Sequence, residues 1–243
     1  MELQGKVALI TGGTAGIGAE AAKLFVREGA EVVISGRDKE RGAAAVADIG
    51  GDGGRVRFVQ ADLGDLDSVR NLAAEAGPVD ILVNNAAAFP TAATLDQDVE
   101  SFEAMFDTNV RGTFFLTAAL LPAMIAKGEG SVVNVSTMAA SMGVPGASVY
   151  SATKAALESL TRTWAAEFGA RGVRVNSVAP GPTMTPGVLV EWGDGVEALG
   201  NTLPLGRTAR PQEIAEAILY LASPRAGFVT GATLAADGGA TAV

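Results

Sequence analysis

The chain contains no cysteine and no histidine, and only 5% of its 243 residues are aromatic. The first absence excludes disulfides and thiolate metal ligands, and the second removes the commonest acid–base side chain and zinc ligand, so no metal site is expected. Basic residues are also scarce: 18 Lys and Arg stand against 27 Asp and Glu, a net charge of −9. This balance argues against a nucleic acid or an anionic membrane surface as partner.

No segment of the sequence indicates targeting or a membrane span. The N-terminus lacks a basic start followed by a long apolar core, and the longest apolar run, residues 114–126, is short and contains Pro122. Together with the lack of cysteine, this fits a cytoplasmic protein. The length and a hydrophobic fraction of 48% predict one domain over residues 1–243 with a large core.

Short apolar runs alternate with helical patterns along the whole chain. The runs begin near residues 6, 31, 55, 79, 131, 173 and 232. The first run, residues 6–10, has no polar face, which is typical of a buried parallel strand. The alternation predicts an α/β fold with a single doubly wound parallel sheet of about seven strands and helices on both faces.

The first predicted strand leads into a glycine-rich loop and then a helix. The glycines are spaced as Gly12-x-x-x-Gly16-x-Gly18. Backbone N–H groups at such a helix start bind a pyrophosphate, and glycine permits its close approach. A tight turn that needs glycine for its dihedral angles would explain the same residues. The strand before the loop and the helix after it favour nucleotide binding.

The end of the second predicted strand bears on the choice between NAD and NADP. An NAD site usually places an acidic residue there, whereas an NADP site needs positive charge. Arg37 and Ser35 suit a 2′-phosphate, and Asp38 is better explained as the N-cap of a helix over residues 39–49. We therefore expect NADP(H) to be favoured over NAD(H). After the third strand, Asp62 either accepts a hydrogen bond from adenine or caps the next helix.

Polar residues also follow the fourth and fifth predicted strands. Asn85 follows the fourth strand, and Ser136 and Thr137 follow the fifth. Open α/β sheets bind ligands at this edge, although a loop with asparagine turn chemistry explains Asn85 equally well. Asn109 interrupts a long predicted helix over residues 96–127, where it is either exposed, a kink or a buried polar group.

Tyr150 and Lys154 lie four residues apart in a predicted helix that runs to about Phe168, so their side chains share one face. A lysine ammonium one turn away favours the phenolate and lowers the phenol pKa from its usual value of about 10. The pair could then exchange a proton with a carbonyl or alcohol near neutral pH. Taken alone, the spacing is explained more simply by a solvated helix surface, because short motifs recur by chance. The accompanying motifs favour catalysis.

In this order, the glycine motif, Asn84-Asn85-Ala86 and Tyr150-x-x-x-Lys154 resemble the short-chain dehydrogenase/reductase family of about 250 residues. The resemblance covers nearly the whole chain, and the most similar types are 3-oxoacyl-[acyl-carrier-protein] reductases and generic alcohol or ketone reductases. It implies a Rossmann-type domain that transfers a hydride between a nicotinamide cofactor, NAD(P)(H), and a small carbonyl or secondary alcohol substrate.

The resemblance also implies roles for individual residues. Tyr150 would be the general acid or base, Lys154 would contact the nicotinamide ribose and lower the Tyr150 pKa, and Asn109 would hold a water of the proton relay. Thr137 stands where the family has a substrate-orienting serine, with Ser136 as a second candidate. The cofactor residues implied are Gly12, Thr14, Gly16, Ile17, Gly18, Ser35, Arg37, Asp62, Leu63, Asn85, Ala86, Ala87, Tyr150, Lys154, Pro180, Gly181, Thr183 and Thr185.

Residues 183–205 are polar and punctuated by glycine and proline, which predicts a substrate lid with a short helix. Five of the larger apolar residues nearby either line a substrate pocket or only pack the lid: Val144, Met184, Leu189, Trp192 and Leu199. The resemblance further implies a homotetramer or homodimer built from the two long helices near residues 98–127 and 149–168.

Two positions depart from the family pattern, which has serine at position 137 and often glycine at position 87. Thr137 keeps the hydroxyl but adds a methyl group, and Ala87 narrows the groove or is tolerated. These departures leave open a non-catalytic dinucleotide-binding or sensing protein that kept the fold. A dehydratase or epimerase using the same pair fits less well, because the substrate segment is short.

Overall fold

A seven-stranded parallel sheet forms the centre of the computed structural model, which describes residues 1–50, 55–193 and 195–242. Its order is β3-β2-β1-β4-β5-β6-β7. This confirms the predicted doubly wound α/β fold; β4 starts two residues later than expected, and β6 continues to Pro180. The strands are β1 Val7–Thr11, β2 Glu31–Gly36, β3 Val56–Gln60, β4 Ile81–Asn84, β5 Gly130–Val135, β6 Val173–Pro180 and β7 Thr233–Ala236.

Helices cover both faces of the sheet and enclose two apolar cores. One core contains side chains of α1, α2 and α9, and the other contains side chains of α3, α5 and α6. The central strands β1, β2, β4, β5 and β6 are buried on both faces along most of their length, as their apolar runs predict, whereas the edge strands β3 and β7 include exposed residues. The helices are α1 Gly16–Arg27, α2 Lys39–Gly50, α3 Leu66–Ala76, α4 Val99–Phe106, α5 Thr113–Lys127, α6 Ser148–Phe168, α7 Pro186–Trp192, α8 Gly195–Asn201 and α9 Pro211–Ala222.

The strand order reverses between β1 and β4. From β1 the chain first builds outward to β2 and β3, then crosses back to β4 and continues to β7. Because all the strands are parallel, their carboxyl ends meet at one edge, and a crevice opens where the order reverses. The glycine loop after β1 and the loops after β4, β5 and β6 therefore converge there.

The long helix predicted over residues 96–127 contains a π-helical turn. Asp107–Gly112 separates α4 from α5, and Asn109 lies in this turn with no exposed surface. A Cβ added to Gly112 would lie 2.0 Å from the carbonyl oxygen of Leu63, so only glycine lets the turn pack against the loop after β3. Such turns often occur at functional sites. The buried polar alternative for Asn109 is therefore the one that the structure adopts.

The helical stretch Val99–Lys127 is long and apolar enough, by length and composition alone, to cross a membrane. In the structure its second half, α5, is a core helix that buries Leu116, Leu120, Leu121 and Met124. These side chains pack with those of β4, β5 and α3. Core packing therefore explains the apolar residues on the buried face of α5.

The segment over residues 183–205 contains two short helices in its described part, rather than the one expected. The first, α7, begins at Pro186, and Thr185 caps it by accepting a hydrogen bond from the backbone N–H of Val188 at 3.2 Å. The second, α8, follows at Gly195. Both come directly after β6, which places them beside the crevice.

Candidate active site

A cleft of about 420 Å³ opens at the carboxyl edge of the sheet. Its walls come from the glycine loop, the loops after β4, β5 and β6, the first turns of α6, and helices α7 and α8. The structure brings most of the predicted site residues together here. Those that line the cleft are Gly12, Gly16, Ile17, Asn85, Ala86, Ala87, Ser136, Thr137, Tyr150, Lys154, Pro180, Gly181, Thr183 and Thr185.

The glycine loop forms a cradle that side chains would fill. A Cβ on Gly12, whose φ is +65°, would lie 2.9 Å from the Cα of Ala86, and one on Gly16 would lie 3.2 Å from Thr185. The Asn85 amide fixes the loop by donating to the carbonyls of Thr11 and Gly12 at 2.9 and 3.2 Å. Because the loop ends at the N-terminus of α1, these residues fit the pyrophosphate of a dinucleotide.

Two predicted cofactor residues act behind the cleft instead of lining it. The carbonyl of Ser35, which is buried, accepts a hydrogen bond from the N–H of Gly13 at 3.1 Å. A Cβ on Gly18 would lie 2.4 Å from the Gly12 carbonyl oxygen, so glycine allows α1 to start directly under the loop. Both residues therefore shape the glycine loop.

The edge of the cleft beyond β2 contains an arginine that the sequence analysis did not select. Arg41 lines the cleft, whereas Arg37, which is exposed, and Thr14, which is half-buried, lie outside its lining. Asp38 caps α2, as predicted, by accepting from the Arg41 N–H at 2.9 Å, and it also pairs with the Arg41 side chain. Side chains in a first helical turn point toward the helix N-terminus. This directional rule was the signal that could have identified Arg41.

Asp62 and Leu63 contribute to local structure after β3. The Asp62 carboxylate accepts a hydrogen bond from the N–H of Gly64 at 2.9 Å, while Asp65 provides the N-cap of α3. The Leu63 side chain is buried in the core beside α5. The structure thus assigns the helix cap to Asp65, and neither Asp62 nor Leu63 lines the cleft.

Tyr150 and Lys154 face the cleft from the first turns of α6. The Lys154 side chain is 1% exposed, and its Nζ donates to the carbonyl of Val135, at the end of β5, over 2.7 Å. This nitrogen lies 5.8 Å from the centroid of the half-buried Tyr150 ring. Phe89 packs edge-on against the same ring at a centroid distance of 6.2 Å. The solvated helix surface considered for the pair is therefore excluded.

The expected lowering of the Tyr150 pKa is wrong for this structure. Burial raises the pKa of the Tyr150 phenol to about 12, and a hydrogen bond with Thr137 only partly opposes it. Burial also lowers the pKa of the Lys154 ammonium to about 8. Desolvation penalises the charged form of each group and is the largest cause of both shifts. Tyr150 is therefore protonated at neutral pH, the form that can donate a proton.

The structure distinguishes between the two hydroxyls that follow β5. Thr137 caps the short turn Met138–Ala140 and reaches Tyr150 with its side chain. The Ser136 hydroxyl instead donates to the buried carboxylate of Glu158 at 2.7 Å. Although Ser136 also borders the cleft, its single proton is engaged, so the structure does not support a catalytic role for it. Thr137 remains the candidate for the substrate contact.

Asn109 connects three elements behind Lys154. Its Oδ1 accepts from the N–H of Ala88 at 2.7 Å, and its Nδ2 donates to the Ala88 carbonyl at 2.8 Å. The same Nδ2 donates to the hydroxyl of Thr153, the neighbour of Lys154, at 3.1 Å. Asn109 does not line the cleft. In this structure its amide orders the loop after β4 against α6.

Of the apolar residues with two possible roles, three line the cleft and two do not. Val144, Trp192 and Leu199 contribute to its walls. Leu189 is 46% exposed, and the N–H of Met184 bonds to the Ala209 carbonyl beside the bridge between Thr183 and Ala209. The pocket interpretation therefore holds for the first three residues only.

Comparison with known proteins identifies the family of this chain. A family model described as enoyl-(acyl carrier protein) reductase matches residues 12–241. A solved structure described as a short chain dehydrogenase/reductase family protein is 65% identical, with a TM-score of 0.95 over 100% of both chains. The chain belongs to the short-chain dehydrogenase/reductase family. It is therefore an oxidoreductase of that family, as the sequence predicts.

Three further relatives indicate the range of the family. A 3-oxoacyl-[acyl-carrier-protein] reductase of Thermotoga maritima is 37% identical over 98% of this chain and 99% of its own. A cis-4-hydroxycyclohexanecarboxylate dehydrogenase of Sinomonas cyclohexanicum is 43% identical over 98% and 97%. A structure described as a candidate NAD(P)-dependent gluconate 5-dehydrogenase from Beutenbergia cavernae, with NADP bound at low occupancy, is 33% identical, with a TM-score of 0.94 over 100% and 99%.

Replacing Lys154 by methionine tests whether the ammonium is buried as described. Below pH 8 the lysine is protonated in both states, so the folded protein bears the full cost of burying the cation. Between pH 8 and 10.5 the unfolded chain holds more protons, and wild-type stability recovers by about 3 kcal/mol. The free energy of unfolding of Lys154→Met relative to that of wild type should therefore fall by about that amount between pH 8 and 10.5. Denaturant unfolding at a series of pH values measures it.

The test depends on how the difference in free energy of unfolding between Lys154→Met and wild type changes with pH, and not on the size of that difference at one pH. Methionine also loses the hydrogen bond to Val135, which adds an offset that does not depend on pH. The control is Lys39→Met, at an exposed lysine in the first turn of α2. A pH-independent difference between Lys154→Met and wild type would contradict the burial of a titrating ammonium.

Proposed function

We propose that this protein is an NADP(H)-preferring oxidoreductase that interconverts a ketone and a secondary alcohol, with Tyr150 as general acid and base. The observation that carries the proposal is that the Tyr150 phenol and the glycine cradle line one cleft. Thr137 supplies a second hydroxyl beside the phenol. This combination fits a carbonyl group placed between a proton donor and a dinucleotide.

The roles of the residues follow from their positions. The protonated Tyr150 donates to the carbonyl oxygen during reduction, while Thr137 orients that oxygen with its hydroxyl. Lys154, one turn along α6, holds the nicotinamide ribose and supplies positive charge near the developing alkoxide. In this proposal Asn109 holds a water of the proton relay behind Lys154 through the remaining lone pair of its Oδ1, since both protons of Nδ2 are engaged. When bound, the nicotinamide dinucleotide supplies or accepts the hydride.

The remaining cofactor residues act at the central pyrophosphate and at the nicotinamide end of the dinucleotide. The glycine loop and α1 bind the pyrophosphate, and Asn85, Ala86 and Ala87 border the nicotinamide ribose. Thr183 and Thr185 close over the nicotinamide from the loop after β6. In this proposal residues 1–243 act as one domain, and residues 183–205 form its lid.

The relatives leave the substrate open but give no support to a non-catalytic function. One relative is named for an acyl group on a carrier protein and another for a hydroxycyclohexanecarboxylate, so relatives alone do not select the substrate. The non-catalytic alternative finds no support, because these relatives are named as a reductase and a dehydrogenase. One reason for considering a non-catalytic protein was that threonine replaces the family's serine at position 137. Thr137 still directs a hydroxyl toward Tyr150, which weakens that reason.

Tyr150→Phe tests the proposed acid. The variant keeps the ring and its contact with Phe89 but removes the transferable proton, so kcat should fall by about 10²–10⁴-fold. NADPH affinity, measured by fluorescence titration, should remain within about threefold of wild type because the phenol makes no phosphate contact. The matched control is Tyr220→Phe in α9, at the other tyrosine of the chain. Wild-type turnover by Tyr150→Phe would refute the mechanism.

Two arginines support the preference for NADP(H). Arg37 follows β2 directly, and Arg41 reaches the cleft from the first turn of α2. Asp38, the acid between them, is engaged as the cap of α2 and as the partner of Arg41. Two arginines thus provide positive charge, while the carboxylate of Asp38 is already hydrogen-bonded. This arrangement favours a 2′-phosphate over a free ribose hydroxyl.

Arg37→Ala and Arg41→Ala should each weaken NADPH binding by about tenfold or more, which corresponds to the loss of a charge-assisted hydrogen bond. Their NADH affinity should change little, because that cofactor lacks the phosphate. Arg70→Ala, at an exposed arginine on α3, is the control. Tighter binding of NADH than NADPH by the wild type, or unchanged NADPH affinity in Arg37→Ala, would refute the preference.

We further infer a cytoplasmic homo-oligomer. Exposed apolar side chains cluster on the α4–α5 segment, where Val99, Phe102, Phe114 and Phe115 are between 38% and 71% exposed. An apolar surface of this kind is typical of an interface between copies of a chain. We expect a dimer or tetramer by light scattering, and a monomer at micromolar concentration would contradict this inference.

A further inference from the structure

The substrate end of the cleft is lined by apolar side chains. Around Tyr150 these come from the loops after β4 and β5 and from the helices of the lid: Phe89, Met138, Val144, Val188, Trp192 and Leu199. Within the described lining, the cationic groups are Lys154 and Arg41. Lys154 is 1% exposed and in the proposed function holds the nicotinamide ribose, and Arg41 lies at the nucleotide end beside Asp38. A substrate anion would therefore find no cation of its own among these residues.

The lid contributes negative charge to the rim of the cleft. Glu191 of α7 accepts hydrogen bonds from the backbone N–H and the hydroxyl of Thr91, at 2.9 and 3.2 Å. Below this contact, a Cβ on Gly187 would lie 3.2 Å from the ring of Phe89. Helix α7 thus packs directly on the loop after β4, and a carboxylate is fixed where the two segments meet.

We propose that the site takes compact, uncharged, apolar ketones and secondary alcohols, and that it discriminates against carboxylates and phosphorylated substrates. This inference rests on the proposed function, because it concerns the substrate of the same site. Removing a carboxylate from water into an apolar pocket without a cation is strongly unfavourable, and the exposed Glu191 at the rim adds a weak repulsion that solvent screens. The volume of about 420 Å³ also has to admit the nicotinamide, so the substrate is compact.

Two ketones of similar size and shape test the proposal on the wild-type enzyme. 4-Methylcyclohexanone is neutral, whereas 4-oxocyclohexanecarboxylate carries a charge where the first has a methyl group. With NADPH, kcat/KM should be about 100-fold or more higher for the neutral ketone, since the site lacks a partner for the carboxylate. A higher kcat/KM for the carboxylate, or for a 3-oxoacyl thioester on an acidic carrier protein, would overturn the proposal.

Binding can be separated from turnover by using the alcohols with the reduced cofactor, a combination in which no hydride can move. Titration calorimetry of the NADPH complex should give a Kd for 4-methylcyclohexanol about tenfold or more below that for 4-hydroxycyclohexanecarboxylate. Equal or tighter binding of the carboxylate would overturn the proposal. If the neutral alcohol binds more tightly but neither ketone is reduced, the proposed function fails and this inference stands.

A charge added to the wall provides a matched test. Val144→Lys places an ammonium in the half-buried wall of the cleft, so the ratio of kcat/KM for carboxylate over neutral ketone should rise about tenfold or more. Val144→Met, of similar length and without charge, should retain the wild-type preference. An equal change of the ratio in both variants would contradict the electrostatic argument. If either variant fails to fold, the wild-type comparisons decide the question alone.

Discussion

A lysine ammonium that is almost completely removed from water is the constraint on which the site depends. Burying a cation is costly unless hydrogen bonds replace its lost hydration. For Lys154 the structure supplies the carbonyl of Val135, where β5 ends and its backbone turns toward the cleft. Because Thr137 lies two residues after that strand end, this contact also aligns α6 with the segment that contains Thr137. The position of Tyr150 relative to Thr137 is therefore a consequence of how Lys154 is accommodated.

Burial also sets the protonation state from which the site starts. It raises the Tyr150 pKa to about 12 and lowers the Lys154 pKa to about 8, so both groups hold their protons at pH 7. A neutral phenol beside an ammonium is the starting state that the proposed reduction of a carbonyl requires. Removing a proton from an alcohol requires the phenolate, which this environment disfavours. The protein environment alone therefore favours the protonated phenol, the form that can donate a proton.

The sequence predicted the strand–helix alternation because β strands buried on both faces leave uninterrupted apolar runs. It predicted most of the cleft for a related reason: parallel strands bring the residues after β1, β4, β5 and β6 to one edge. It did not select Arg41, although the predicted start of α2 at residue 39 and the direction of side chains in a first helical turn were enough to identify it. It also gave the wrong direction for the Tyr150 pKa. Spacing shows that a lysine is near, whereas desolvation depends on everything else that packs around the phenol.

The same dependence on packing explains a row of buried polar groups across the centre of the fold. The Asn84 amide on β4 donates to the hydroxyl of Thr117 on α5 and to Oδ1 of Asn134 on β5, at 3.0 and 2.9 Å. Asn134 donates in turn to the Thr161 hydroxyl on α6, at 2.8 Å. Apolar side chains at these positions could be buried with α6 in several positions relative to the sheet. The hydrogen bonds allow only one of these positions. Asn84 Oδ1 is buried without a hydrogen-bond partner among the described residues, so we infer that this specificity is gained at some cost in stability.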